Sequence, residues 1–312
     1  MVLSRRTLRA AYGQGFGLRS AGRGGRVAAT ANLLFELWAD RARRSRRFPC
    51  DPSPPEAPPF CPHESTAVIR RFPREIVRCR SCQVAFATVR DGVERAREVH
   101  DRGYFEANRD FVYPDGSPNY FEYAMPRTLF FWALGLSRFP PEGRRALDVG
   151  CGNGLMLRYL RFLGYEPWGV EISEWAADYA RSVVGEQRVT TGTLAEAGYP
   201  DGHFRLVTLV HVLEHLDEPA PLLAEVRRVL EPDGLVYVEV PASERDVTDY
   251  LVGDHFWFYC VDALRYLLTC AGFRDVRIGE GSGKPELHDV PFIFALARAP
   301  DLPPSATFVR GG

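Results

Sequence analysis

The segment Ala146-Leu147-Asp148-Val149-Gly150-Cys151-Gly152-Asn153-Gly154 constrains the fold of this chain more than any other stretch. An apolar run ends in three glycines at alternate positions, and a helical pattern opens directly after them, over 154–163. Glycine lets the backbone approach a ligand closely and adopt left-handed conformations at little cost. The N–H groups at the start of the following helix suit a polar or anionic group. The dinucleotide fingerprint G-x-G-x-x-G would need glycine at 155, where this chain has Leu155, so a nicotinamide dehydrogenase is disfavoured.

Apolar runs then alternate with helical patterns. Strands are expected at 145–150, 166–171, 188–191, 205–210, 235–240, 274–279 and 292–298, and helices at 154–163, 173–184, 218–230 and 261–271. Such alternation predicts an α/β fold: a seven-stranded, mostly parallel sheet with helices on both faces. The last two strands are joined without a helix, which predicts a hairpin and an antiparallel final strand.

Gly169-Val170-Glu171-Ile172-Ser173 places an acid at the end of the second strand, 17 residues after Gly154. A carboxylate there can accept both ribose hydroxyls of a nucleoside-containing cofactor, and Ile172 can pack on the adenine. The plainer reading of Glu171 is a cap for the helix that starts near Ser173. Together, the G-x-G-x-G spacing and this acid resemble the first motifs of the class I S-adenosylmethionine-dependent methyltransferases, which have a Rossmann-like fold. In that family the loop wraps the methionine portion of the cofactor. The resemblance therefore implies contacts from Gly150, Cys151, Gly152 and Gly154, with Asp148 ordering the cofactor through water or its amino group. It also implies an adenine contact after the third strand, where the family commonly carries an acid. Thr193 stands there instead, followed by Leu194, so the Thr193 hydroxyl or a backbone carbonyl must do that work. Arg205 departs from the family's Phe-Asp start of the fourth strand, at the end far from the pocket.

His211-Val212-Leu213-Glu214-His215 could by itself be an inverted zinc-peptidase motif, but that motif must lie within a helix. Here it falls on a strand-to-loop turn, and Pro219 marks the start of the next helix. With Glu225 to Leu235 behind it, the segment resembles the "VLEHL…LkPgG" stretch of one methyltransferase branch. His211 is placed at the carboxyl end of a central strand, where open α/β sheets bind ligands, so cofactor and substrate are both candidates for its contact. Glu214 and His215 could act as a base on an acceptor or could pin the loop, and both readings stay open. His255, in the aromatic segment 254–259, is a candidate pocket wall, against the alternative of aromatic packing under a loop. Methyl transfer itself asks mainly for in-line positioning.

Seven cysteines, at 50, 61, 79, 82, 151, 260 and 270, form no regular framework, which favours a reduced cytoplasmic compartment. Cys61-Pro62-His63-Glu64 and Cys79-Arg80-Ser81-Cys82 resemble the two knuckles of a zinc ribbon that several members of the same branch carry ahead of the catalytic domain. Structural zinc wants four tetrahedral ligands. The second knuckle is intact, whereas Glu64 holds the second cysteine position of the first. Cys61, His63, Cys79 and Cys82 are the candidate ligands, Glu64 and Cys50 are alternatives to His63, and a decayed metal-free site stays open.

The expected organisation is an Arg-rich leader over 1–48, a Pro-rich linker with the ribbon-like segment over 49–95, an aromatic-rich cap and lead-in helix over 96–136, the methyltransferase domain over 137–300, and a tail over 301–312. The leader, with eleven arginines against two acids in residues 1–47, reads as a transit peptide or as translated upstream DNA. A formal net charge of −1 gives no nucleic-acid signal, and no run of 18 apolar residues exists to cross a membrane as a helix. The chain carries no signal of oligomeric state. The expected function is methyl transfer from S-adenosylmethionine to a small molecule, at a hydroxyl or a sugar carbon. The rivals are an RNA-modifying enzyme docking through the ribbon and a non-catalytic cofactor-binding scaffold.

Overall fold

Fully apolar strands separated by amphipathic helices can bury both sheet faces only as a layered α/β stack. The structure, a computed structural model, describes residues 60–71, 75–88, 144–162, 164–242, 255–282 and 291–300, all within one compact unit. Three short strands come first: β1 (Thr66–Arg70), β2 (Ile76–Cys79) and β3 (Ala85–Ala87). The alternating region follows, with β4 (Arg145–Val149), α1 (Leu155–Phe162), β5 (Glu166–Glu171), α2 (Glu174–Val184), β6 (Val189–Thr191), a short α3 (Leu194–Ala197), β7 (Phe204–Val210), α4 (Pro219–Val229) and β8 (Leu230–Pro241). The described elements end with β9 (Trp257–Phe258), α5 (Val261–Cys270), β10 (Arg274–Ser282) and β11 (Pro291–Arg298).

The main sheet has the order β10-β11-β8-β7-β4-β5-β6. Neighbours from β8 through β6 are parallel, while β11 runs antiparallel to both β8 and β10. This is the seven-stranded, mostly parallel sheet with an antiparallel last strand that the sequence pattern predicts. All seven residues of the central β7 are buried, as a strand covered on both faces requires. The four long helices begin and end within a residue or so of their expected bounds.

A short helix, α3, was not expected, and two differences concern strands β8 and β9. Strand β8 starts at Leu230 and not near 235, because α4 runs straight into a strand whose Leu230 pairs with Phe204. Asp233 takes a left-handed φ of 57° there, and its carboxylate gathers Arg298 at 2.9 Å and Arg274 at 3.5 Å. The second difference is β9, two residues that complete a separate sheet of order β1-β2-β3-β9. The Cys-bearing segment therefore shares backbone hydrogen bonds with a strand from the far side of β8. The leader, most of the linker, the aromatic-rich cap with its lead-in helix, Asp254 and the tail lie outside the described residues.

Gly234 shows how tightly the α4–β8 junction is drawn. A Cβ at this position would lie 2.7 Å from the Glu231 carbonyl oxygen and 3.1 Å from Leu230. Gly234→Ala is expected to destabilise the protein by about 1–3 kcal/mol. The check is a lower urea midpoint at an unchanged slope.

Candidate active site

The glycine turn after β4 has the geometry its sequence demands. Gly150, Gly152 and Gly154 all take positive φ (69°, 50° and 79°), which side chains other than glycine rarely tolerate. Gly150 N–H and Cys151 N–H both donate to the Val170 carbonyl of β5, which ties the turn to the neighbouring strand. Cys151 Sγ packs where a side chain on Gly169 would have to go, at 2.8 Å from that Cβ position. Burial pushes its thiol well up, so Cys151 packs as a neutral group.

Glu171 does more than end β5. Its Oε2 accepts the Gly152 N–H at 2.7 Å, and its Oε1 accepts the Ser173 N–H at 2.9 Å. The cap of α2 is Ser173, whose hydroxyl accepts from Ala176, so Glu171 is not the helix cap. Asp148, 2 % exposed, accepts a 2.6 Å hydrogen bond from the hydroxyl of Thr208, its register partner on β7. Thr208 was not among the expected site residues. An alcohol in a run of aliphatic residues was the signal that could have found it.

Past β6, Thr193 is the N-cap of α3 in a capping box with Glu196. Its hydroxyl donates to Glu196 Oε2 at 2.8 Å, and its N–H donates to the same oxygen at 2.7 Å. The hydroxyl expected to face an adenine is thus engaged with Glu196, an acid that sequence reasoning passed over. Leu194 is fully buried in the main core, and Ile172 is half-buried beside Glu171.

The HxxEH segment leaves β7 and makes a single 3-10 turn over Leu213–His215, with Pro219 opening α4. That is the turn the sequence predicts, and it lacks the helix a zinc peptidase needs. Val212 packs directly on the glycine turn: a Cβ at Gly150 would meet Val212 Cγ2 at 2.7 Å. His211 itself has a left-handed φ of 54°. Its Nδ1 lies 3.1 Å from Glu214 Oε1 and its Nε2 lies 3.3 Å from Glu239 Oε1. Both carboxylates are fully buried. Burial alone would lower the His211 pKa, but the hydrogen bonds to Glu214 and Glu239 outweigh it and raise it to about 9. Burial likewise works against the Glu214 carboxylate, yet His211 and the neighbouring His215 hold its pKa below the ordinary value.

Glu214 Oε1 also sits 3.9 Å from His215 Nε2, and the His215 and His255 rings meet edge-on at 4.7 Å. The four expected catalytic residues are therefore brought into one group. Phe256 N–H donates to the Glu214 carbonyl at 2.6 Å, and Trp257 Nε1–H donates to the Leu216 carbonyl at 2.7 Å. The aromatic segment thus packs on the turn through two hydrogen bonds. Glu239 is the acid that sequence reasoning missed, although a carboxylate inside Leu235-Val236-Tyr237-Val238-Glu239-Val240 is conspicuous in a buried strand.

The candidate metal ligands also converge. Cys61, His63, Cys79 and Cys82 place their donor atoms within 4.8 Å of one another. Cys61 Sγ lies 3.6 Å from Cys79 Sγ, and Cys82 Sγ lies 3.4 Å from His63 Nδ1. Glu64 is exposed, and Cys50 lies outside the described residues. Burial opposes ionisation of Cys79, but hydrogen bonds from the Cys82 backbone and His63 lower it to about 6. Burial and the adjacent Cys79 push Cys82 up to about 12.

A mostly parallel sheet with a left-handed glycine turn at its carboxyl edge is an α/β arrangement that binds ligands at that edge. A family profile described as a methyltransferase domain matches residues 120–278, slightly more than half of the chain, and the chain belongs to that family. The ubiquinone biosynthesis O-methyltransferase of Thiobacillus denitrificans is 30% identical over 122 residues, covering 37% of this chain and 51% of the relative. That of Alkalilimnicola ehrlichii is 35% identical over 102 residues, covering 30% and 40%. This chain thus spans about half the length of the curated relatives it matches, or less. A solved SAM dependent methyltransferase from Archaeoglobus fulgidus shares the fold, with a TM-score of 0.51 at 20% identity, covering 62% of this chain and 99% of that one.

The His211 pair has a pH signature. A histidine whose folded pKa lies near 9, against an ordinary 6.5, stabilises the fold fully below pH 6.5 and loses that contribution as the pH rises through 9. The thermal midpoint of the protein is expected to fall between pH 6.5 and 9.5. His211→Asn, whose side chain tolerates left-handed φ, should lower the midpoint overall and flatten this slope.

Proposed function

We propose that this protein transfers a methyl group from S-adenosylmethionine to a small-molecule acceptor, with a hydroxyl as the favoured acceptor. The observation that carries the reading is the glycine turn held against the carboxyl edge of the sheet by the 2.7 Å bond from Gly152 N–H to Glu171. Its three glycines hold a left-handed backbone, and two buried acids, Asp148 and Glu171, flank it. These groups fit the cofactor: the turn suits its amino-acid portion, Asp148 can accept from its amino group, and Glu171 and Ile172 suit its nucleoside. When bound, S-adenosylmethionine supplies a methyl group already activated on a sulfonium. The matched relatives named as O-methyltransferases favour an oxygen acceptor over a sugar carbon.

A hydroxyl is a poor nucleophile and needs a base. We assign that task to His215, half-buried at the turn and 3.9 Å from the Glu214 carboxylate. His215 takes the proton as the acceptor oxygen takes the methyl group, and Glu214 stabilises the resulting imidazolium. His211 is ill suited to the role, because carboxylates hold both of its ring nitrogens. His255, edge-on to His215, walls the acceptor side.

We further assign a structural zinc to Cys61, His63, Cys79 and Cys82. Zinc–sulfur bonds of about 2.3 Å in a tetrahedron put neighbouring donors roughly 3.5–3.8 Å apart, close to the 3.6 and 3.4 Å separations found here. The metal would lock the knuckles that carry β2 and β3. The purified full-length protein is expected to hold about one zinc per chain and Cys79→Ser to lose it, and elemental analysis finding far less in the wild type would remove this assignment.

Calorimetric titration with S-adenosylhomocysteine tests the main reading. Wild type should bind, Gly152→Arg should not, and Glu171→Ala should weaken binding by roughly 10- to 100-fold, from the lost charged hydrogen bonds. Well-folded wild type that fails to bind would bring the scaffold reading forward.

A further inference from the structure

We propose that Glu239 is a positioning residue of the catalytic turn: with Glu214 it grips the two ring nitrogens of His211 and so fixes the direction in which Glu214 faces His215. The inference rests on the reading above of His215 as the base and Glu214 as the carboxylate that stabilises it.

Glu239 stands in the otherwise apolar or aromatic run 235–240 of β8 and is fully buried. A carboxylate in such a place is costly unless its oxygens find donors. Both do. Tyr237 Oη donates to Oε2 at 2.7 Å, and Oε1 faces His211 Nε2 at 3.3 Å. The backbone repeats the link, because Glu239 is the register partner of Val210 and its carbonyl accepts the His211 N–H at 2.9 Å. His211 is therefore held at three points from β8 and the turn, which is how a non-glycine residue persists at a φ of 54°.

The clamp runs in one direction, toward the base. From Tyr237 and Glu239 on β8 it passes through His211 to Glu214 Oε1, and that same oxygen lies 3.9 Å from His215 Nε2. Glu214 Oε2 is buried with no hydrogen-bond partner among the described residues, so His211 is the close partner that orients this carboxylate. The titratable groups around the clamp are Glu239 and Tyr237 from β8, Glu214 and His215 from the turn, and His255 and Tyr259 from the segment before α5. Removing the Glu239 charge frees one face of the His211 ring, and Glu214 loses the fixed partner that aims it.

The experiment follows the histidine ring nitrogens of the 15N-labelled full-length protein by NMR, without cofactor, across pH 5 to 10. Single histidine variants assign the signals. In wild type both His211 nitrogens should stay protonated at pH 7.5. In Glu239→Gln the His211 midpoint should fall by at least one pH unit, and the His215 titration should shift with it. Unchanged His211 and His215 titrations in a folded variant would overturn the proposal, since a purely space-filling Glu239 would not move His215. If Glu239→Gln does not fold, Tyr237→Phe removes the hydroxyl that fixes Glu239 Oε2 and should shift the His211 and His215 titrations together; no shift there overturns the proposal too. Failure of wild type to bind S-adenosylhomocysteine would count against the methyl-transfer reading alone, because these signals are read without it.

Discussion

Four carboxylates, Asp148, Glu171, Glu214 and Glu239, are buried at or near the carboxyl edge of four adjacent strands, and their donors organise that edge. Burying a charge is expensive unless hydrogen bonds replace the lost water. Thr208 serves Asp148, two backbone N–H groups serve Glu171, His211 serves Glu214, and Tyr237 with His211 serves Glu239. Three of the contacts, Thr208 to Asp148, Gly152 to Glu171 and His211 to Glu239, join separate elements, so satisfying the charges also fixes the turns that end the strands. The electrostatic requirement and the shape of the edge are one constraint.

The two turns at that edge also fit each other sterically. Val212 occupies the space a side chain on Gly150 would need, so the turn after β7 and the glycine turn after β4 can be in place together only while residue 150 is glycine. Interiors packed at this density transmit small displacements. A change in one turn is thereby felt in the other, which links the proposed cofactor side to the proposed base.

The Cys-bearing segment joins the same arrangement from outside the main sheet. Phe256 is the junction: its carbonyl accepts from Ala87 of β3, and its N–H donates to the Glu214 carbonyl. Next to it, the Trp257 ring lies 5.7 Å from His63 and 5.3 Å from Phe86, while its Nε1–H reaches the Leu216 carbonyl. The knuckles thus buttress the segment that carries His255. This gives the segment a role in the architecture of the site that needs no separate docking partner.

Local pattern alone determined the seven strands of the main sheet and the four long helices, the antiparallel final strand, the glycine turn and the His-Glu-His turn, because each depends on periodicity or on turn chemistry confined to a few neighbours. The acid at 171 and the cysteine pairs were equally readable, since residue type and spacing carry that information. Tertiary structure decided the rest. Glu239 and Thr208 acquire their roles only through strand register, which sets Glu239 beside Val210 and Thr208 beside Asp148 across gaps of many residues. The engagement of the Thr193 hydroxyl by Glu196 depended on a four-residue helix too short to show a period. Pairing of β3 with β9 joined residues some 170 positions apart, and the clamp on His211 drew on two strands and a turn. Such partners are set by which strands lie side by side, a property of the whole sheet that no local stretch of sequence contains.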